Sequence, residues 1–411
     1  MNTPRRMTSL PPELVAIIID YLDGDTETLA ACSTFSRDFL HAHQRQLFHT
    51  VYLAYRSEKD TLSFDLHAKI WEFADLLRES PRLAKYVKKL YLNAYSPSKA
   101  HVKLETLDKD TLLLILPMLS ELQELSLGHG DWQLVSSPLQ VAFTTIFKSK
   151  VLRSLHLEKM DVPASFFDEF HCLKELAVSR YTAIGRHPHA RDGRIKLESL
   201  TSFNNMDMLE LLLDSQSPLS IKGARVFHWR GRDFDVKHIP TVEDALYDCC
   251  ASLEELTLPY PVSGGLPPDE ILDISFLTAL KSIKLTSRGT FSNCRRQQDD
   301  PRFPSLIAQL PEFASHLEKI VLILYIPPWG RLIPPDLTAV DQVLLTTNWA
   351  RLRHIEIIIH EPLSEDDMDA DVVNILYNAM PVLWAHSTLQ TNFCCRSRVH
   401  TYSLICSNYC Y

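Results

Sequence analysis

The densest group of side chains able to bind a soft metal lies near the end of the chain: Cys394, Cys395, His400, Cys406 and Cys410. Zinc sites want cysteines or histidines separated by a few residues, so that four ligands converge on one tetrahedron. Adjacent cysteines followed by a long gap do not supply that spacing, and no metal site is assigned. Cys249 and Cys250 close a segment of helical pattern and read as core thiols. The acidic run from Glu361 to Asp371 reads as a solvated loop with at most weak affinity for a cation. Covalent catalysis needs a nucleophile, a base and a stabilising group together. The sequence holds no Gly-rich phosphate loop, no His-Glu-x-x-His and no Gly-x-Ser-x-Gly. No catalytic residue and no cofactor is therefore expected; an enzyme with an unrecognised site stands as the opposing alternative.

The bulk properties agree with a folded protein that binds other proteins. The 411 residues are 45% hydrophobic and 23% charged, with 11 glycines, close to the average for globular chains. Subtracting 51 acidic from 42 basic residues leaves −9, which disfavours a nucleic-acid binder that works by neutralising phosphate. Nine scattered cysteines form no regular disulfide framework and read as reduced thiols. The N-terminal residues lack the apolar stretch of a secretory signal. Runs such as Leu112 to Leu116 and Ile320 to Ile326 are far shorter than the roughly 20 residues of a spanning helix. A cytoplasmic or nuclear protein without membrane attachment is expected.

The elements that would position a binding surface begin with Leu10-Pro11-Pro12-Glu13-Leu14. Proline is tolerated in a first helical turn and a carboxylate there complements the helix dipole, so a helix should start near Pro12. Leu14, Ile17, Ile18, Tyr21 and Leu22 then recur on a 3.6-residue period, a stripe that can face the module's own core. A second set, Val15, Ile19 and Leu22, flanks the first, so the helix needs two surfaces to bury against. Gly24 ends it. Asp25 can cap a second helix carrying Leu29, Cys32 and Phe35, and Ser36 a third carrying Phe39, Leu40, His43, Leu47 and Phe48. Three helices in about 40 residues cannot bury a self-sufficient core, and their excess apolar surface implies a partner.

The order of these signals resembles the F-box: Leu-Pro start, Glu-Leu, isoleucine-rich helix, Leu-x-x-Cys-Ser helix, then Ser-Arg and an aromatic. The resemblance covers residues 9–48, about a tenth of the chain, and departs from the common pattern at Phe39, where many members carry tryptophan. It implies binding to a Skp-type adaptor and through it to a cullin scaffold, with Leu10, Pro11, Leu14, Ile18, Leu22, Leu29 and Phe39 as the contact or its support. It further implies a substrate-recognition adaptor of an SCF-type E3 ubiquitin ligase. A scaffold acting outside ubiquitin transfer is the alternative within the same resemblance.

Beyond residue 80 a phrase recurs in which two leucines three apart are followed by an apolar residue two further on. Clear copies start at Leu122, Leu152, Leu173 and Leu253; further copies, with isoleucine as the second residue, start at Leu280, Leu317 and Leu352, and Val87 begins the series. Between 178 and 258 the signal degrades to Leu197-Glu-Ser-Leu200 and Arg225-Val226-Phe227. Amphipathic segments at 61–79, 105–118, 206–214 and 336–349 leave helices between the phrases. The expected fold is α/β, a small three-helix F-box followed by an irregular leucine-rich-repeat solenoid of strand-helix units. Residues 49–82 would form a helical linker and cap, 83–386 the solenoid, and 387–411 a Cys-rich tail, disordered or atypical.

Alternate residues on each strand face opposite ways, so the leucines line the core and the residues between them line a binding face for a protein target. Tyr91, Ser126, His156, Thr257, Lys284 and Glu356 are the candidates, with Asn93, Glu158, Ser179 and Thr286 beside them. Late in the array the face turns apolar at Val321, Ile323 and Ile358. It is either a recognition patch or a surface covered by the Pro-rich loop 326–335 and the tail; cover is favoured, because bare apolar patches promote aggregation.

Overall fold

A computed structural model describes residues 10–22, 25–34, 37–53, 70–92, 104, 109–179, 182–184, 194–203, 205–230, 238–260, 272–287, 306, 309–310, 315–325, 341–343, 351–360, 390–396 and 401–402. It divides into two compact units, Met1–Leu173 with Tyr181–Ala183, and Lys174–Arg180 with Ile184–Tyr411. The boundary falls inside the stretch read as one array, and the N-terminal helices group with the first repeats.

The first unit opens with α1 (Pro12–Tyr21), α2 (Thr26–Ser33) and α3 (Arg37–Leu47). Proline stands at the start of α1, where no N–H is missed. Asp25 caps α2, its carboxylate accepting from Thr28 N at 3.0 Å and the Thr28 hydroxyl at 2.7 Å. Those bonds hold its carboxyl below the usual range. The core of the trio is Val15, Ile19 and Leu29, with Leu22, Phe39 and Ala42 packed against it. This corrects the expectation that Leu14, Ile17, Ile18 and Tyr21 turn inward, because those four are exposed. Two competing stripes were legible on one helix, and α2 and α3 have room to bury only the narrower one, Val15-Ile19-Leu22.

Next come β1 (Thr50–Tyr52), α4 (Ile70–Glu79), β2 (Lys89–Leu92), α5 (Lys109–Ile115), β3 (Glu124–Asp131), α6 (Ser137–Phe147) and β4 (Ser154–Val162). Helical crossovers between successive strands allow parallel pairing, and β1 to β4 are all parallel neighbours. Leu90, Leu125 and Leu155 stand at one register position and Leu92, Leu127 and Leu157 at the next inward one, all fully buried. Repeat phrases therefore stack side by side, each leucine buried by its neighbours in the adjoining units, as in leucine-rich repeats. Behind α6 the core is aromatic. Phe147 lies 4.4 Å from Phe170, 5.1 Å from Phe166 and 5.7 Å from Trp132, centroid to centroid. His129 and Lys159 adopt left-handed backbone (φ 55° and 52°), so both strands turn at the same level. The buried Thr182 hydroxyl serves the turn in β4, donating to Leu157 O and accepting from Met160 N, each at 3.4 Å.

The second unit carries β5 (Glu175–Val178), β6 (Ser199–Phe203), α7 (Met206–Leu213), β7 (Val226–Arg230), α8 (Ile239–Cys249), β8 (Glu255–Tyr260), β9 (Ser282–Ser287), β10 (Lys319–Tyr325), β11 (His354–His360) and β12 (Gln390–Arg396). Each strand pairs in parallel with the next. Leu176, Leu200, Phe227, Leu256, Ile283, Ile320 and Ile355 form one buried row. The degraded phrases at Leu197 and Arg225 are thus true units, with Phe227 standing where leucine stands elsewhere. The Cys-rich tail is not wholly outside the array: Gln390–Arg396 pairs with β11, and Thr401–Tyr402 returns antiparallel to β12. In register, Thr391, Phe393 and Cys395 stand opposite Ile355, Ile357 and Ile359. The segments 326–335 and most of 336–349 lie outside the described residues.

Two side chains fasten the long connections. Asn205 caps α7 through Met208 N at 2.9 Å and donates to Ser179 O at 2.8 Å. Arg194 donates to the carbonyls of Leu212, Asp214, Ser217 and Leu219 at 2.9–3.0 Å, serving the C-terminal end of α7, where carbonyls lack partners.

The residue just before each strand from β5 to β11 alternates in sign from Lys174 through Glu198, Arg225, Glu254, Lys281 and Glu318 to Arg353. The backbone bonds that start each pairing put these seven residues side by side, for example Arg225 N to Glu198 O at 2.8 Å and Glu318 N to Lys281 O at 2.7 Å. Lys174 pairs with Glu198. Glu254 accepts from Arg225 at 2.7 and 3.1 Å, and from Lys281 at 3.2 Å. The Arg225 guanidinium holds the Glu254 carboxyl below its usual range. This depression adds stability at neutral pH that is lost as pH falls through the folded-state value. Exposed pairs are individually weak, yet Glu254→Lys would set three cations side by side. It is expected to lower the thermal unfolding midpoint by a few degrees relative to Glu254→Gln. Calorimetry at low salt and at 1 M NaCl, where screening shortens to about 3 Å, should show that gap closing.

Candidate functional site

Two surfaces qualify as sites: one face of α1, and in each unit the sheet face opposite the leucines. Among the described residues no cluster of three or more His, Cys, Asp or Glu could hold a metal, and no helix is long and apolar enough to cross a membrane.

On α1, Leu14 is 47% exposed, Ile17 62% and Tyr21 91%, while Leu10 and Ile18 also show a third or more of their surface. Pro11 is exposed at the start of the same helix. Of the seven residues that the F-box resemblance singles out, Leu10, Pro11, Leu14 and Ile18 therefore lie on the outer face. Leu29 is buried, and Leu22 and Phe39 pack against the inner core from part-buried positions. Ile17 and Tyr21 belong to the outer face and were missing from the expected contact set. Their spacing was legible, but which stripe turned outward was not. Burying one such aliphatic side chain is worth about 1.5–3 kcal/mol, so this face offers substantial binding energy to a complementary apolar surface.

On the first unit, Tyr52, Tyr91, Ser126 and His156 form a cross-strand row in strict register. The tyrosine rings stack at 4.6 Å between centroids. The Tyr91 hydroxyl donates to the Glu124 carboxylate, which also takes Lys89 Nζ at 2.6 Å. Burial and that carboxylate push the Tyr91 phenol well up. His156 Nδ1 sits 3.3 Å from Ser126 Oγ, and burial lowers the imidazole's pKa against the opposing pull of Glu158 and Glu124. Ser126 is completely shielded by its neighbours. Asn93, expected beside them, lies outside the described residues.

The equivalent row of the second unit runs Ala177, Thr201, His228, Thr257, Lys284, Val321, Glu356 and Asn392. Thr257, Lys284 and Glu356 thus share one row, as alternation predicts. Glu356 sits beside Lys319 at 3.3 Å and His354 at 3.7 Å. Val321, Ile323 and Ile358 cluster and are buried, the condition expected of a covered surface; the loop proposed as cover lies outside the described residues. His228 and Arg230 were missed because β7 carries valine, phenylalanine and tryptophan instead of the leucine phrase. The alternation Phe227, Trp229 would have located them.

No protein-family model and no curated protein sequence matches the chain. Among solved structures it is similar to a leucine-rich-repeat protein of Leptospira interrogans, 13% identical, over 78% of this chain and 88% of that one, with a TM-score of 0.28. A likeness of that size leaves the repeat fold resting on the strand register described above.

Proposed function

We propose that the chain is the substrate-recognition subunit of an SCF-type E3 ubiquitin ligase. On this reading residues 9–48 are an F-box that binds a Skp-type adaptor and through it a cullin scaffold. The repeats hold a protein target, and the chain itself performs no covalent chemistry and needs no cofactor. A cytoplasmic or nuclear setting goes with that role. The observation that carries the reading is the outer face of α1: Leu10, Leu14, Ile17, Ile18 and Tyr21 are exposed on a small helical trio whose own core is already complete. An apolar stripe left open beside a filled core is the condition of a docking surface. The parallel-strand face, with polar and aromatic residues in register, supplies a broad second surface suited to a protein partner.

Co-purification of the full-length chain with a Skp-type adaptor tests this. Wild type should retain the adaptor through washing, and a Leu10→Ala, Pro11→Ala variant should lose most of it. Failure of wild type to retain the adaptor, or equal retention by the variant, would overturn the reading. Retention without any ubiquitin transfer in a reconstituted ligase would favour a scaffold role.

A further inference from the structure

The row of residues at the strand starts differs between the two units. From β5 to β11 it alternates in sign and neutralises itself, whereas before β1 to β4 it reads His49, Lys88, Gln123 and Arg153, with no carboxylate. Backbone bonds put these four side by side: Lys88 N to His49 O at 3.0 Å, Gln123 N to Lys88 O at 2.8 Å and Arg153 N to Gln123 O at 2.9 Å. A second tier of cations precedes the row. Arg45 lies in the last turn of α3, Lys85 three residues before Lys88, and Lys150 three before Arg153. The 3-10 turn Pro81–Tyr86, which holds Lys85, packs against α3. Desolvation, with the charges of Lys89, Arg45 and Lys88, holds the His49 imidazole below its usual range against a weaker pull from Glu124. Carboxylates at this rim are already paired: Glu121 takes Lys88 at 3.0 Å, Glu124 takes Lys89 at 2.6 Å and Glu169 takes Lys148 at 2.9 Å. Glu79, at the end of α4, is offset in charge by Arg82 three residues on. Arg45, Lys85, Lys150 and Arg153 are exposed and form no ion pair among the described residues. The helix dipole accounts for a cation such as Arg45, but Lys150 and Arg153 stand three and six residues past the end of α6 at Phe147, where that effect has faded.

We propose that Arg45, Lys85, Lys150 and Arg153, with the strand starts between them, form a docking rim for an acidic segment of a protein partner. The rim uses none of the residues assigned to adaptor docking. From β1 to β4 there are three strand spacings of about 4.8 Å, so its length is roughly 15 Å, the reach of about five extended residues. Each guanidinium can hold a carboxylate through two parallel N–H groups, and the ammonium groups add point charges. A short acidic run satisfies these cations, whereas a polynucleotide extending past them would meet a chain of net charge −9. Cations gathered along one rim of such a chain give an acidic peptide a local target and an orientation.

The test uses the full-length chain and fluorescein-labelled dodecapeptides in which glycine alternates with glutamate or with glutamine, read by anisotropy at physiological salt. Wild type should bind the glutamate peptide and not the glutamine peptide. Lys85→Glu with Arg153→Glu should weaken binding by about tenfold or more. Lys85→Gln with Arg153→Gln should weaken it by less, and keeps the test readable if the reversed pair fails to fold. A pair of equal charge change elsewhere, Lys196→Glu with Lys222→Glu, should leave binding within about twofold. Equal weakening by both charge-reversed pairs would show a bulk charge effect and overturn the rim. So would unchanged binding by both Lys85/Arg153 pairs, or wild type that does not bind the glutamate peptide. Tighter binding of a labelled oligothymidylate of equal length would assign the rim to nucleic acid and overturn the proposal in that way. Adaptor retention is measured on the same variants and should be unchanged, which also reports folding. Absence of adaptor retention in wild type with these peptide effects intact would remove the ligase reading and leave the rim standing.

Discussion

Changing Leu14 and Ile17 together to aspartate should abolish adaptor binding while leaving the fold intact. In the free chain both side chains already face solvent, at 47% and 62% exposure, so two carboxylates there strand no charge and open no cavity. Across a docked apolar interface the same carboxylates would be desolvated without partners, a cost of several kcal/mol on top of the lost burial. The expected weakening is on the order of a thousandfold, readable by calorimetric titration of purified adaptor, with the thermal midpoint within about 2 °C of wild type. Val15→Asp is the informative contrast. Val15 belongs to the inner core with Ile19 and Leu29, so that variant should lose adaptor binding by unfolding the helical trio, visible as lost helicity. Unaltered binding by the Leu14→Asp, Ile17→Asp chain would remove the outer face of α1 from consideration.

The largest effect on stability is expected at Phe147. Its ring is buried among Trp132, Phe143, Phe166 and Phe170. Truncation to alanine removes one partner from four ring contacts and leaves a cavity that rigid neighbours cannot close. Buried phenylalanine-to-alanine changes cost about 3–5 kcal/mol. Chemical denaturation followed by tryptophan fluorescence should report it through Trp132. The loss should concentrate in amide protection of β3, α6 and β4, because repeat arrays couple mainly to nearest neighbours. Uniform loss of protection through β8 to β11 would mean that the array unfolds as one cooperative block.

Much of the architecture was legible because the leucine phrase carries its own physics: two residues three apart and a third two further on read as a helix end running into a strand. Leu90, Leu125, Leu155, Leu256 and Ile283 all sit inward as that pattern requires. What the pattern could not supply was neighbour context. Val51 and Leu53 in and after β1 form too short a run to announce a strand, yet they extend the sheet beside Leu90. Phe227 and Trp229 replaced leucine and dimmed the phrase, concealing His228 and Arg230. On α1 both apolar stripes were visible, but the choice of inner stripe depends on how α2 and α3 pack, which no local period encodes. The candidate row Tyr91, Ser126 and His156 was readable by alternation alone, whereas the stacking of Tyr52 on Tyr91 requires the register between β1 and β2.

The alternating charges before the strands of the second unit also bear on how such an array can change length. Losing or duplicating one repeat between Lys174 and Arg353 would bring two like charges together at the new junction. Arg225 would meet Lys281 if the Glu254 unit were removed, and Glu254 would meet a second glutamate if it were copied. Removing or copying two adjacent repeats preserves the order of signs. Repeat number in this part of the chain is therefore easiest to alter in steps of two, a parity constraint on its evolution and on any attempt to lengthen it by design.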